Sequence, residues 1–193
     1  MTKLEAINKI MRRAGLQPIR VLETDTASNG AEAERCLDDA ELEMQSQGWN
    51  YNTYRDVTLS PDAMDNITVP TGTISIYPDS EYGESKNFTT QGEKLYDTDE
   101  NTLLFTADVT VRYIQRWHFD CIPFPVQDYI TLVAASRFNE KRGTPRIQSG
   151  IDTTAAVARV RAMQYNNKQA GTNVLNTAHS RRFRGERGEV SSP

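Results

Sequence analysis

The chain has 193 residues, enough to bury a hydrophobic core, and its composition limits the kinds of protein that it can be. Hydrophobic residues make up 37% and charged residues 25%, which predicts a modest core under a large polar surface. No apolar run approaches the roughly 18 residues of a membrane-spanning helix, and the N-terminus shows an amphipathic pattern without a signal-peptide core. We therefore expect a protein that is made and kept in the cytoplasm.

The two cysteines, Cys36 and Cys121, lie far apart, and neither has Cys or His neighbours at metal-ligand spacing. This pattern predicts neither a disulfide framework nor a zinc site, and it indicates no cofactor. Both thiols are expected to be buried, since free cysteine behaves as a small hydrophobic residue.

The net charge of -4 conceals two regions of opposite charge. Residues 56–108 contain eleven acidic residues and two lysines, whereas residues 137–193 contain eleven basic residues and four acidic ones. The sequence therefore predicts one acidic and one basic surface on the same chain.

Two helices are predicted within the first fifty residues. Thr2 and Glu5 have the spacing of a capping box before an apolar stripe, and Asn29 and Glu32 have the same spacing before a second helix. The apolar period predicts that this second helix ends near Gln47.

Gly48 suits the left-handed position that closes a helix, and Trp49 would then pack back on Met44. This turn leads from helical spacing into alternating spacing. We therefore interpret Gly48 and Trp49 as a structural hinge.

Residues 51–115 alternate between apolar and polar residues, as short antiparallel strands do. The alternating apolar residues are Val57 and Leu59, Ile67 and Val69, Ile74 and Ile76, Leu103 and Phe105, then Val109, Val111 and Tyr113. Pro70-Thr71-Gly72 is typical of a tight hairpin turn, and residues 78–87 are typical of a surface loop. The predicted sheet is a meander of hairpins.

Two further helices are predicted near the C-terminus. One begins near Pro125 and ends near Arg142, where Gly143-Thr144-Pro145 should stop it. The other covers about Asp152 to Lys168. The predicted buried faces comprise Val126, Ile130, Val133, Ala134 and Phe138 in the former and Ala155, Ala158, Ala162 and Met163 in the latter.

Together these elements predict an α+β fold. Residues 1–50 and 116–171 should form a small bundle of about four helices, and residues 51–115 an inserted antiparallel β region. Residues 172–193 are rich in Arg, Gly, Glu and Ser and should form a flexible, extended C-terminal arm.

Carboxylates are the only abundant side chains in this sequence that could act as catalytic groups. They cluster at Asp79, Glu81 and Glu84 and at Asp97, Asp99 and Glu100. Two carboxylates held about 5 to 9.5 Å apart can hydrolyse a glycosidic bond. Because both clusters lie in turn-like sequence, solvated loops are the favoured interpretation.

His118 could act as a general base only if a Ser or Cys nucleophile faced it, and the sequence contains no motif that places one there. An aromatic patch formed by Trp117, His118 and Phe119 before the third helix is therefore favoured.

The arm carries a basic cluster made of Arg181, Arg182, Phe183, Arg184 and Arg187. Four arginines on an extended segment can bind phosphates nonspecifically. Glu186 and Glu189 are interspersed among them, so docking on an acidic protein surface is at least as well supported.

Several motifs, in their order and spacing, resemble the tail tubular protein A family, the head-to-tail adaptors of short-tailed, podovirus-type bacteriophages. The two longest are residues 45–52, QSQGWNYN, and residues 92–105, which begin GEKLYD. The resemblance continues through residues 69–73, Ile122-Pro123 and residues 129–138, and it covers most of residues 4–175.

This resemblance implies a non-enzymatic structural virion protein that is assembled in the host cytoplasm. The family forms a dodecameric ring below the portal protein, continues the DNA channel, and joins the tail nozzle protein and the tail fibres. From these motifs and the two regions of opposite charge we hypothesise that the arm docks on the portal and that the β region meets distal tail proteins. An acidic channel wall would repel DNA and let it slide. A tail-associated glycan hydrolase acting on the host envelope and a nucleic-acid-binding module using the arm are the alternatives.

Overall fold

The computed structural model describes residues 1–21, 28–79, 87–142 and 145–169. The helices are α1 Lys3–Arg13, α2 Asn29–Ser46, α3 Phe124–Arg142 and α4 Pro145–Gln169, and a 3-10 turn covers Phe119–Cys121. The strands are β1 Thr53–Leu59, β2 Thr73–Pro78, β3 Phe88–Gln91, β4 Lys94–Asp97 and β5 Val109–Gln115. The predicted α+β class, with four helices and an antiparallel β region, is confirmed. No helix in these four ranges is long and apolar enough to cross a membrane.

The first two helices begin with side-chain caps. The Thr2 hydroxyl accepts from the backbone N–H of Glu5 and the Glu5 carboxylate accepts from that of Thr2, so the predicted capping box is confirmed. The cap of α2 is Ser28, not Asn29 as predicted, and its hydroxyl accepts from the backbone N–H of Ala31. Ser28 has the extended backbone of a capping residue, whereas Asn29 is already helical.

Helix α3 lies between α2 and α4, because it packs against both while those two have few contacts with each other. Helix α1 packs against both α2 and α3. The largest buried side chains of this core are Ile7, Ile10, Leu37, Phe119, Ile130 and Phe138.

Helix α4 is longer than predicted and buries a different stripe. Pro145, expected to end the third helix, is the first residue of α4, a position that proline favours because it lacks the N–H that would be unpaired there. Met163 was predicted to be buried but is exposed, and Ile151 joins Ala158 and Ala162 on the buried side.

The β region consists of a three-stranded sheet in the order β1-β5-β2 and a separate β3-β4 hairpin, all antiparallel. The predicted meander is wrong, because β5, the last strand in sequence, pairs with both β1 and β2. The segments at residues 67–69 and 103–105, which were predicted to be strands, belong to neither sheet. They form isolated β-bridges, with Lys94 and with Asn66 respectively. The unpredicted β3-β4 hairpin turns at Gly92, whose φ is +64°.

The Pro70–Gly72 turn is present, with Gly72 at φ +81° and the Thr73 N–H bonded to the Pro70 carbonyl at 3.2 Å. It does not join paired strands, because β2 pairs with β5 and not with the segment before the turn. A second group of buried side chains lies here: Ile67, Val69, Ile76, Phe88, Leu95, Phe105, Val109, Val111 and Tyr113. Within the predicted loop 78–87, residues 80–86 lie outside the described residues.

The two cysteines differ in their exposure. Cys36 is buried in α2 as predicted, and burial raises the pKa of its thiol. Cys121 was also predicted to be buried but is exposed. The 3-10 turn explains this correction, because it directs Phe119 into the bundle core and leaves Cys121 on the outside.

Candidate functional site

The chain passes from α2 into β1 through a tight junction at Gly48. Its φ of +73° lies in the left-handed region, and its N–H bonds the Gln45 carbonyl at 3.2 Å, as in a helix-ending motif. A Cβ at this position would lie 2.8 Å from the Ile114 Cδ1 of β5. The left-handed backbone therefore favours glycine, and a Cβ would in addition force the end of the Ile114 side chain to shift.

Trp49 packs back on the end of α2 as predicted, and it does so through a hydrogen bond. Its indole N–H donates to the Met44 carbonyl at 2.6 Å, while its backbone N–H donates to the Asn52 Oδ1 at 2.8 Å. The indole thus satisfies a carbonyl that the backbone of a complete Schellman motif would satisfy. The role of Gly48 and Trp49 as a hinge stays a prediction.

Asn52, which the sequence did not single out, connects three elements at this junction. Its side chain is fully buried, and its Nδ2 donates to the Gln45 carbonyl of α2 at 3.0 Å and to the Gln115 carbonyl of β5 at 3.2 Å. Asn52 follows Trp49 by three residues, which is the only sequence signal that it caps a turn.

A second polar contact joins the bundle to the segment after β5. Gln45 is fully buried and bonds both the N–H and the carbonyl of Trp117, at 2.7 and 2.8 Å. The Gln45 Nε2 also donates to Glu41, whose carboxylate accepts from the Arg116 Nε at 3.2 Å. Burial raises the pKa of Glu41, although the charge of Arg116 opposes this.

A cleft of about 320 Å³ opens beside the Glu41–Arg116 pair. The charged side chains on its walls are paired with one another. Arg116 pairs with Glu41, and Lys3 of α1 pairs with Asp38 of α2 at 2.9 Å. The Glu41–Arg116 pair joins α2 to the segment after β5.

The last turn of α4 is anchored at the same junction. The Asn166 Oδ1 accepts from the Asn50 N–H, and the Asn166 carbonyl accepts from the Asn50 Nδ2, both at 2.7 Å. The chain therefore leaves α4 for residues 170–193 close to the α2–β1 junction.

The outward face of α4 carries an apolar stripe that the described residues do not cover. Val157, Val160 and Met163 are 49%, 55% and 45% exposed and follow one another at helical spacing. The buried residues Ala158 and Ala162 lie on the opposite side of the helix. Arg159 and Arg161 flank the stripe and form no ion pair within the part of the chain that the structure describes. A stripe of this kind is typical of a surface that packs against another protein.

A smaller apolar pair lies on the β region. Met64 and Leu104 are exposed, and the antiparallel bridge between Asn66 and Leu104 brings their segments together. Asp62 precedes them, and its carboxylate accepts from the N–H groups of Met64 and Asn66, which holds the pKa of Asp62 below its usual range.

The carboxylate cluster at residues 97–100 supports a turn. Asp97 is buried, and its Oδ1 accepts from the N–H groups of Asp99 and Glu100 at 2.9 and 3.0 Å. The Asp99 carboxylate accepts from the Asn87 N–H at 2.8 Å. In the other cluster, Asp79 accepts from the Asp56 N–H, and residues 81 and 84 lie outside the described residues.

His118 is exposed and caps the 3-10 turn, since its Nδ1 accepts from the Asp120 N–H at 3.4 Å. The neighbouring Trp117 ring packs edge-on against Tyr51 at 5.4 Å and Phe119 is buried, whereas His118 is exposed, so the three residues do not form one aromatic patch. Across the described ranges, no group of three or more His, Cys, Asp or Glu side chains is placed to hold a metal ion.

The predicted docking cluster, Arg181, Arg182, Phe183, Arg184 and Arg187, lies outside the described residues. Its role stays a prediction.

The contacts described above join parts of the fold, and the exposed faces are apolar. A comparison with known families indicates a structural protein, in agreement with these features. The family model described as tail tubular protein matches residues 4–172. The chain belongs to the tail tubular protein family. The resemblance seen in the sequence is thereby confirmed. No curated protein matches the chain.

Membership makes this tail tubular protein a structural component of the bacteriophage tail, and so of the virion. It also implies assembly with other tail components, and a structural family suggests a role that is not enzymatic. The matched residues span all four helices and five strands, whereas most of the predicted arm lies beyond them.

Proposed function

We propose that this tail tubular protein is the head-to-tail adaptor of a short-tailed phage. Copies of the chain form a closed ring, a dodecamer as the resemblance implies, between the portal and the nozzle protein. The ring continues the channel through which DNA leaves the head, and tail fibres attach to the same assembly.

The observation that carries this proposal is the apolar stripe of α4, which the described residues leave exposed. An uncovered stripe of Val157, Val160 and Met163 destabilises a solitary chain in water relative to one that buries it, at about 25 cal/mol per Å² of apolar surface. A ring gives every copy a neighbour on each side, so the stripe is covered in all copies.

We further propose that residues 1–50 and 116–171 act as the ring-forming bundle and that the inserted region 51–115 extends towards the distal tail proteins. Two observations support this division. The bundle and the β region each have their own group of buried side chains, and Asn52 and Gln45 fix one to the other. The exposed pair Met64 and Leu104 gives the β region an apolar contact for a distal partner.

The charge distribution supports the remaining contacts. The eleven acidic residues of 56–108 would repel DNA from a channel wall and so prevent it from binding there. The basic arm of residues 172–193 suits an acidic surface of the portal, and its place beyond α4, which ends at the junction, lets it extend away from the bundle.

The test is the mass of the purified chain in solution, measured with and without its portal protein and followed by electron microscopy. We expect closed rings of uniform subunit number, either alone or on the portal. A chain that stays monomeric in both conditions would contradict the adaptor function.

A truncation tests the arm separately. A chain ending at residue 171 should still form rings but should bind the portal at least about tenfold more weakly, because the arm's arginines are removed. Unchanged portal binding would contradict the docking role of Arg181, Arg182, Phe183, Arg184 and Arg187. Unchanged ring formation in the same variant confirms that the truncated chain is folded.

A further inference from the structure

The outer face of α4 has the regular spacing of a helix-packing seam. Six exposed residues follow one another at intervals of four and three: Ser149, Thr153, Ala156, Val160, Met163 and Asn167. Alternation of four and three residues keeps side chains on one line of an α-helix and is the spacing by which two helices pack side by side. Small and apolar residues fill the middle of this line, which allows another helix to approach closely.

Helix α2 carries a matching line on its own outer face. Arg35, Asp39, Leu42 and Ser46 are all exposed and follow one another at intervals of four, three and four. Leu42 is 46% exposed and is the apolar residue of this line.

The two helices carry opposite charges. Helix α2 contains six acidic residues and one arginine, whereas α4 contains four basic residues and one aspartate. Five of the six acidic residues of α2 form ion pairs within the chain, Glu43 with Arg137 among them, so on the two outer faces Asp39 of α2 would meet Arg159 and Arg161 of α4. This contact brings the arginines of α4 to a carboxylate, whereas contact of the α4 face with itself would bring like charges together.

The two faces cannot meet within one chain. Helix α3 separates α2 from α4, and each line lies opposite the buried side of its helix, so the lines face away from each other on opposite sides of the bundle. Two different, complementary surfaces on opposite sides of a subunit generate a head-to-tail contact, which closes into a ring when the rotation between neighbours permits it.

We infer that the outer face of α4, centred on Val160, packs against the outer face of α2, centred on Leu42, of the next copy of this chain. The inference rests on the proposed ring and names the surfaces that form it. Each subunit then uses its α4 face towards one neighbour and its α2 face towards the other.

Two single substitutions test it, Leu42→Asp and Val160→Asp, assayed by mass in solution, with portal if the ring requires it. Each places an unpaired carboxylate in the contact, so each should weaken ring formation by about tenfold or more in concentration. The matched control is Val21→Asp in the segment after α1, where the valine is 71% exposed, and this variant should form rings as the unmodified chain does. Circular dichroism should show the three variants folded, because all three positions are exposed.

Mixing the two variants tests the pairing itself. The Val160→Asp chain keeps an intact α2 face and the Leu42→Asp chain keeps an intact α4 face. One chain of each variant should therefore form a dimer, and this dimer should not add further chains. Growth is blocked because the remaining two faces both carry the added aspartate. A mixture that stays monomeric while each variant has lost the ring would overturn the head-to-tail pairing.

A disulfide trap gives a second, independent measurement. In a Cys121→Ser background, a chain with both Leu42→Cys and Val160→Cys should give a ladder of linked copies on oxidation, whereas each single cysteine should give at most a trace of dimer. No ladder from assembled rings would overturn the inference.

The remaining outcomes separate the inference from the proposed function. Rings that form normally from both aspartate variants overturn these surfaces but leave the adaptor ring intact. Loss of the ring only in Val160→Asp means that α4 packs on another surface, such as the portal or the chain's own arm, and also overturns the pairing. If the unmodified chain forms no ring with or without portal, the proposed function fails first and the inference fails with it.

Discussion

Helices α3 and α4 lie side by side in the bundle, but the chain covers them very differently. In α3, nine of nineteen residues are buried, and the polar ones among them are bonded internally, as Asn139 is to the Ala135 carbonyl. In α4, which is longer, Ile151, Ala158 and Ala162 are buried while Val157, Val160 and Met163 are exposed. The buried side of α3 is covered by the chain itself, whereas the described residues leave the outer face of α4 uncovered.

This difference separates two kinds of apolar residue in a small assembly protein. Residues that the chain itself covers determine whether one copy folds, and residues left uncovered determine whether copies associate. Pairs of matched substitutions, one at a covered site and one at an uncovered site, test this separation.

The largest effect is expected at Phe138, which is 1% exposed in the centre of the bundle. Phe138→Ala should lower the free energy of unfolding by about 3–5 kcal/mol, because it removes buried contacts and leaves a cavity. Urea denaturation of the purified chain measures this. Val160→Ala is the control and should change the free energy of unfolding by less than about 0.5 kcal/mol. Equal losses from both would show that the outer face of α4 is covered within one chain.

The next effect compares two glycines with the same φ of +73°. Gly15→Ala adds only the strain of the left-handed backbone, since nothing lies within 4 Å of its Cβ position. Gly48→Ala adds the same strain and a contact at 2.8 Å with Ile114, so it should cost about 1–3 kcal/mol more. Thermal melts of the two variants provide the measurement, and similar melting temperatures would show that the junction yields to the added methyl group.

Replacing an alanine by leucine on each face of α4 distinguishes the buried face from the exposed face. Ala162 is fully buried against α3, so Ala162→Leu should destabilise the chain by about 1–3 kcal/mol. Ala156→Leu, on the exposed face of the same helix, should leave the melting temperature nearly unchanged. If Ala156→Leu were the more damaging of the two, the assignment of the faces would be reversed.

The smallest effect concerns two acidic residues of α2, one covered and one not. Burial raises the pKa of Glu41 in the folded chain, so the stability contributed by this group is present below its unfolded pKa and is lost as the pH rises through the folded pKa. Glu41→Gln removes that loss while its amide oxygen can still accept from Arg116. The melting temperature of the variant relative to the unmodified chain should therefore be higher at pH 7 than at pH 4.

Asp39→Asn is the control for this measurement. Asp39 is exposed, so its substitution should change the melting temperature by the same small amount at both pH values. A difference between the two pH values as large as that of Glu41→Gln would show that the effect does not come from burial.

The predictions from sequence succeeded where the signal was local. The Thr2 capping box, the left-handed Gly48 and the limits of α3 each depend on residues within one or two helical turns, and each is found in the structure. The cap of α2 was misplaced by one residue because Ser28 and Asn29 are equally good capping residues.

The predictions failed where distant parts of the chain decide the outcome. The alternation at residues 67–69 and 103–105 correctly marks Ile67, Val69 and Phe105 as buried, but pairing of β5 with both β1 and β2 leaves those segments outside the sheets. Asn52 was missed for the same reason, since its bond to Gln115 joins residues sixty-three positions apart.

By itself, the sequence determined the α+β class, the four helices, the glycine turn after α2 and, through the order of its motifs, the family, because periodicity, caps and motifs are read from neighbouring residues. Only the tertiary structure decided that β5 is the central strand, that Pro145 begins α4, and that Met163 faces outward. Whether an apolar residue is core or contact surface depends on what packs against it, and for Val160 and Met163 nothing in the described chain does. That uncovered face is the part of the molecule from which its assembly is inferred.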